Sequence, residues 1–144
     1  MTQFNSLLYV ETPHVMTHEL NIQFRYFNIH SSMSLTSFLN TLVKSHHKHL
    51  TTQIALASNM LNIGQFIPIY ISPELIICPL FPKRFTYQVY INMTEVIGLT
   101  SMKDRTRIHF KQNHQFIVDV SITFCLKKWK ECLLLRQLML SQSV

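Results

Sequence analysis

The sequence predicts an α+β fold: a predominantly antiparallel β-sheet with a helical segment before the central strands and a C-terminal helix. Residues 66–93 contain short runs of Ile, Val, Phe and Tyr interrupted by prolines, a pattern typical of strands. Residues 34–62 and 123–141 instead carry apolar side chains at helical spacing. A hairpin pattern in residues 105–121 adds further strands.

The composition predicts one folded domain over residues 1–144. Hydrophobic residues make up 47% of the chain and charged residues 14%, which excludes a disordered protein. The two glycines, Gly64 and Gly98, lie in no nucleotide-binding pattern. The three cysteines lack framework spacing and no signal peptide precedes them, so we expect a reduced, cytoplasmic protein. Polar residues interrupt the uncharged stretch 50–73, so it does not predict a membrane span.

Two strands are predicted in the first thirty residues. Residues 3–11 contain the run Leu7-Leu8-Tyr9-Val10, which predicts a strand. Apolar and polar residues then alternate from Glu19 to His30, which predicts one half-buried strand. Its expected buried face consists of Leu20, Ile22, Phe24 and Tyr26.

The next segment predicts helices over 34–44 and 48–62, or one kinked helix. Ser31-Ser32 offers a cap, and Leu35, Leu39 and Leu42 then recur at helical spacing. The apolar pattern lapses at the histidines 46–49 and resumes afterwards, and Gly64 is expected to end the second helix.

Three strands are predicted within residues 66–93, where Pro68 and Pro79 should lie at sheet edges or bulges, since proline cannot donate to a ladder. A short strand over 94–100 with a turn at Gly98 follows, and then a loop at 103–104.

A hairpin is predicted from strands 105–112 and 115–121, with a turn at Asn113-His114. The final helix, 123–141, has one expected buried stripe. Its predicted members are Phe124, Leu126, Trp129, Cys132, Leu133 and Leu138.

Residues 33–140 resemble the ComK family of competence transcription factors. The segments that carry the resemblance are Ile67-Pro68-Ile69, Ser72-Pro73, Leu80-Phe81-Pro82, Tyr90-Ile91-Asn92-Met93, Thr106-Arg107-Ile108-His109-Phe110 and Val120-Ser121. The resemblance implies a bacterial, nucleoid-associated activator of DNA-uptake genes that binds AT-rich boxes through the minor groove. It also implies an oligomer, and an adaptor–protease system among the partners.

A row of cations is the sharpest local signal for DNA binding. Side chains alternate across a strand, so Arg105, Arg107, His109 and Lys111 should share one face. Such a row can follow a phosphate backbone or enter a narrow minor groove. The alternative is an ordinary solvated face of an antiparallel sheet.

Other basic residues extend this candidate interface. The chain carries 13 Lys and Arg against 7 Asp and Glu, a net charge of +6 that favours nucleic acid or anionic membranes as partners. Lys127-Lys128-x-Lys130 lies in the first turns of the final helix, where cations oppose the helix dipole, and Lys83-Arg84 lies in a turn. Solvated surface charge is the alternative for both. The candidate DNA-binding residues are Lys83, Arg84, Lys103, Arg105, Arg107, Lys111, Lys127, Lys128 and Lys130.

Neither a metal site, a cofactor site nor an active site is predicted. His46-His47-x-His49 has no accompanying cysteine pair or His-Glu-x-x-His motif, so a polar helix junction is the expected role. Cys125 and Cys132 are expected in the core.

A protein-interaction module that does not bind DNA is the second predicted function. The ComK relatives carry a basic pair in their second helix, and this chain has Gln53-Ile54 near that place instead. Longer relatives also continue past the final helix. Such a paralogue would form mixed oligomers with a full-length regulator.

Overall fold

The fold is α+β, as the sequence predicts. The computed structural model describes residues 4–13 and 19–142, which form nine strands and three α-helices. None of the described helices is long and apolar enough to cross a membrane.

The larger sheet has six antiparallel strands in the order β3-β2-β1-β6-β5-β4. Its strands are β1 (Leu7–Glu11), β2 (Leu20–Phe24), β3 (Asn28–Ser31), β4 (Ile69–Ser72), β5 (Leu75–Pro79) and β6 (Val89–Asn92). The three central strands are therefore confirmed. Pro68 precedes the edge strand β4, as expected. Pro79 is the last residue of the interior strand β5 and pairs with Tyr90 of β6 without a bulge, so the edge or bulge predicted for Pro79 is wrong.

The smaller sheet has three antiparallel strands in the order β7-β8-β9. They are β7 (Val96–Met102), β8 (Arg105–Phe110) and β9 (Gln115–Val118). The predicted 105–121 hairpin is confirmed, with Gln112 and Asn113 at positive φ in the turn. The turn expected at Gly98 is wrong: Gly98 lies inside β7, where the pairing register shifts by a bulge.

The helices are α1 (Leu35–Lys44), α2 (Leu50–Leu61) and α3 (Ile122–Ser141). Ser34 and Ser121 cap α1 and α3 through side-chain bonds to backbone amides. The prediction that Gly64 ends α2 is wrong. The helix ends at Asn62, which takes the left-handed conformation that asparagine tolerates.

The six-stranded sheet is covered on both faces. One face packs against α1 through residues such as Phe38 and Leu42. The other face shares a core with α3 and the smaller sheet, which contribute Cys125, Ile108 and Phe110. The smaller sheet therefore has one face in the core and one face outside.

The predicted strand from Glu19 to His30 is instead a hairpin. Phe24 N–H donates to the carbonyl of Phe27 at 2.8 Å, which turns the chain between β2 and β3. Tyr26 leaves the buried face and is 71% exposed. Arg25 in this turn binds the buried carboxylate of Glu95, with 2.8 Å between Arg25 Nη2 and Glu95 Oε1. A distant ionic contact thus accompanies the turn.

The buried stripe of α3 is only partly as predicted. Cys132 is buried, but Leu126 and Leu133 are exposed. The fully buried members are Cys125, Lys128, Cys132 and Leu135. The helix is therefore rotated relative to the predicted stripe, and a lysine lies in its core face.

Alkaline conditions are expected to destabilise this fold. Burial raises the pKa of Tyr9 to about 12, with Glu11 adding to the shift, and burial also raises the pKa values of Tyr87 and Tyr90. A folded state that holds these protons more tightly than the unfolded chain is fully favoured below the ordinary tyrosine pKa of about 10. Stability should therefore fall as the pH rises from about 10 towards 12.

Urea unfolding at increasing pH measures this loss, and Tyr9→Phe should reduce it. A stability that is constant or rising above pH of about 10 would contradict the assignment. Tyr26, whose pKa is lowered by hydrogen bonds from Gln112 and Arg25, serves as the control position, because Tyr26→Phe should not reduce the alkaline loss.

Candidate nucleic-acid interface

The outer side of the smaller sheet carries the predicted cation row. Along β8, Arg105 is exposed and Arg107 and His109 are half-buried, while Thr106, Ile108 and Phe110 are buried. The alternation from exposed to buried confirms that the arginines lie opposite the core face.

Neighbouring strands complete this outer face. Arg107 lies between Thr100 of β7 and Ile117 of β9, and Met102 is opposite Arg105. We call this set the basic face. It comprises Thr100, Met102, Arg105, Arg107, His109 and Ile117. The sequences of the three strands hold no acidic residue, although Glu95, Asp104 and Asp119 lie just beyond strand ends.

The side chains of the basic face make few hydrogen bonds with the described part of the chain. Thr100 Oγ1 and His109 Nε2 are 2.7 Å apart. The Nε atom of Arg107 is shielded from solvent and has no hydrogen-bond partner within the described residues. The fold leaves this nitrogen unpaired, and because it is shielded from solvent it is not a donor that a ligand on the outer face reaches.

Lys111 belongs to this row only in part. It follows β8 in a short 3-10 turn, and its Nζ lies 3.7 Å from the buried carboxylate of Glu95. Glu95 is also bound by Arg25. Part of the Lys111 charge is thereby balanced within the fold, whereas Lys103, in the β7–β8 turn, is exposed next to the Arg105 end.

Lys128 is buried on α3 and does not belong to an exposed cluster, so the prediction that it contacts DNA is wrong. The residue is 2% exposed, and its Nζ donates to Glu131 Oε1 at 2.6 Å. The same Nζ lies 5.9 Å from the centroid of the Phe66 ring. A lysine held this way cannot reach a phosphate. Lys127 and Lys130 are exposed, as expected.

Lys83 and Arg84 are exposed in the turn between β5 and β6 of the larger sheet. They belong to a different sheet from the basic face. The structure thus brings Lys103, Arg105 and Arg107 together on one hairpin, and places the other predicted cations on separate elements.

Three members of the basic face were not singled out from the sequence: Thr100, Met102 and Ile117. Their place depends on strand register across the β7–β8 and β8–β9 pairs. A turn at residues 113–114 would pair residue 117 with residue 110, whereas the structure pairs Ile117 with Arg107, so the predicted hairpin gave no correct signal for Ile117.

The histidine-rich junction between α1 and α2 is a hydrogen-bonded turn that Lys48 connects to β4. His47 takes positive φ there, and Lys48 Nζ donates to the carbonyl of Ile71 at 2.6 Å. Within residues 4–13 and 19–142, no group of three His, Cys, Asp or Glu side chains could hold a metal ion.

No protein-family model, curated protein or solved structure matches this chain. The resemblance to the ComK family stays a prediction.

Proposed function

We propose that the protein binds duplex DNA through the basic face of the smaller sheet. The observation that carries the proposal is the alternation along β8, which presents Arg105 and Arg107 outward from a strand whose other face is buried. The core side fixes the backbone, so the arginines are held in line without a ligand.

Strand geometry suits a phosphate backbone. Side chains on one face of a strand recur about every 6.6–6.8 Å, about twice the axial rise of roughly 3.4 Å per phosphate on one DNA strand. Sheets and β-ribbons enter DNA grooves in several protein classes. Arginine also favours the narrow minor groove of AT-rich DNA, where the potential is most negative.

Regulation of transcription is the biological role we propose for this binding. The resemblance to ComK supports a more specific proposal, in which the sites are AT-rich promoter boxes of DNA-uptake genes and the protein acts as an oligomer. The positive charge of the chain supports the more general proposal that the protein binds DNA of many sequences.

Replacing Arg107 with Ala tests the proposal directly. We expect DNA binding to weaken by about 1 kcal/mol or more, and the slope of log affinity against log salt to fall by about one unit if the contact is to phosphate. The free energy of unfolding should change by less than about 1 kcal/mol, because half-exposed strand charges contribute little to stability. Fluorescence anisotropy with a labelled AT-rich duplex measures the first effect.

Lys44→Ala is the matched control, because it removes one positive charge from the exposed end of α1. It should leave the affinity nearly unchanged. Equal losses in the two variants would show that only net charge matters, and unfolding of the Arg107 variant with unchanged affinity per folded molecule would show that the face is wrongly assigned.

A protein-interaction module is the second candidate function, and one observation favours it. Leu126, Leu133 and Leu140 recur every seven residues on α3 and are 39%, 44% and 41% exposed. A seven-residue apolar repeat supplies one of the two apolar positions of the heptad through which paired helices pack. Association of the wild-type chain with itself or with a related regulator, without DNA binding, would favour this role over the first.

A further inference from the structure

A cavity at the edge of the larger sheet is separate from the basic face. It has a volume of about 530 Å³ and lies between α2, the loop before β4, and the β5–β6 turn. This volume is within the range of roughly 300–1,000 Å³ typical of small-molecule sites. The DNA-binding proposal gives this cavity no role.

The walls of the cavity are mostly apolar. Helix α2 contributes Ile54, β4 contributes Ile69, and the loop between them contributes Ile67. Pro79 and Phe81, at the end of β5, form the opposite side. An apolar body would therefore be removed from water on several sides.

Two cations belong to the same lining. Lys83 and Arg84 line the cavity from the β5–β6 turn and are exposed to solvent. Of the described residues that line the cavity, none is Asp or Glu. A bound group near this turn would therefore meet uncompensated positive charge, which favours an anion.

The turn that carries these cations is braced. Phe85 N–H donates to the carbonyl of Pro82 at 3.0 Å, which closes the turn. Gln88 Nε2 donates to the carbonyls of Pro82 and Phe85 at 2.7 and 2.9 Å. The backbone that carries Lys83 and Arg84 is thus set before a ligand arrives, which lowers the part of the entropic cost of binding that comes from ordering the turn.

Tyr90 adds a polar group inside the cavity. It projects from β6 into the lining, and its hydroxyl makes no hydrogen bond with the described part of the chain. A phenol in such a place can donate to a carboxylate oxygen. Apolar walls with a few polar groups that fix orientation are the usual features of a ligand site.

We infer that this cavity binds a small amphipathic carboxylate, an acid with an unbranched or aromatic apolar body. The carboxylate lies at Lys83 and Arg84, where the guanidinium of Arg84 can form a paired contact. The apolar body lies against Ile54, Ile67 and Ile69. The ligand is chosen by charge and by apolar volume together, so neither property alone should suffice for tight binding.

Titration calorimetry of the full chain with straight-chain acids tests this inference. Decanoate should bind about fifteenfold more tightly than octanoate, since each methylene that is buried gives a factor of about four. Decan-1-ol and decylammonium should bind at least about tenfold more weakly than decanoate, because they lack the negative charge. No decanoate binding at millimolar concentration, or equal binding of decanoate and decan-1-ol, would overturn the inference.

Paired variants locate the site. Lys83→Ala with Arg84→Ala should weaken decanoate binding about tenfold or more. The control, Lys44→Ala with Lys127→Ala, removes the same charge from exposed residues that do not line the cavity and should leave binding unchanged. If the first pair of substitutions weakens DNA binding but leaves decanoate binding unchanged, these cations serve DNA and the inference fails.

Gly64→Phe tests the apolar part without removing charge. Gly64 lines the cavity, a Cβ atom added there meets no atom within 4 Å, and its φ is not positive, so the backbone accepts a side chain. The variant should fold with an unchanged melting temperature and lose decanoate binding. A folded Gly64→Phe chain that binds decanoate as tightly as wild type would place the ligand elsewhere and overturn the inference.

Discussion

Asn92→Ala is expected to lower the free energy of unfolding by about 2–5 kcal/mol, because buried polar groups that lose their partners cost roughly 1–3 kcal/mol each. Asn92 is fully buried. Its Nδ2 donates to the carbonyl of Leu7 at 2.8 Å and to that of Glu74 at 3.2 Å. Its Oδ1 accepts from the amide of Ile76 at 3.2 Å. One side chain thus joins β6 to β1 and to the β4–β5 hairpin.

Urea unfolding followed by circular dichroism measures the effect, and Asn40→Ala is the matched control. Asn40 is half-buried on α1 and makes a single local bond to the carbonyl of Thr36 at 3.0 Å. Its loss should cost less than about 1 kcal/mol, since Ala is the best helix former. If Asn92→Ala were as stable as the control, the strand junction would not depend on this amide.

Lys128→Ala is expected to cost about 3 kcal/mol of stability, because removing one partner of a buried ion pair leaves the other charge unpaired. The side chain of Lys128 is 3% exposed and that of Glu131 is 17% exposed. Glu131 keeps some access to water, so we expect the loss of stability to lie at the lower end of the roughly 3–5 kcal/mol that breaking a buried pair costs. Differential scanning calorimetry measures it.

The double substitution Lys128→Met with Glu131→Met is the informative companion. Replacing both charges by apolar groups of similar volume is often neutral or stabilising, so the double variant should be more stable than Lys128→Ala. A Lys128→Ala chain that keeps its stability but loses DNA affinity would instead return Lys128 to the DNA interface.

Local pattern predicted most of the elements, because each is fixed by short-range periodicity. The two N-terminal-half helices and the 105–118 hairpin lie within a few residues of their predicted bounds. The β2–β3 hairpin was missed because Tyr26 continues the alternation of Leu20, Ile22 and Phe24. The neighbouring sequence does not distinguish Tyr26 from the buried residues of this alternation. Its exposure depends on a turn that the contact between Arg25 and the distant Glu95 stabilises.

The candidate site was predictable only along one strand. Alternation identified Arg105 and Arg107, but the pairing of Lys111 with Glu95 depends on how the two sheets meet. The burial of Lys128 did have a signal in the sequence. Cys125, Cys132 and Leu135 form a helical stripe whose missing member is residue 128, so the stripe predicts that Lys128 faces the core.

The measurement that tests DNA binding by the basic face most directly is a salt series on wild type and on the double variant Arg105→Ala with Arg107→Ala. Binding to an AT-rich duplex is followed by anisotropy between about 50 and 200 mM salt. We predict measurable wild-type binding at the low-salt end, and a salt slope smaller by about 1.8 in the double variant, since each phosphate contact contributes roughly 0.9. Absence of wild-type binding at low salt, or identical slopes for the two proteins, would contradict the claim.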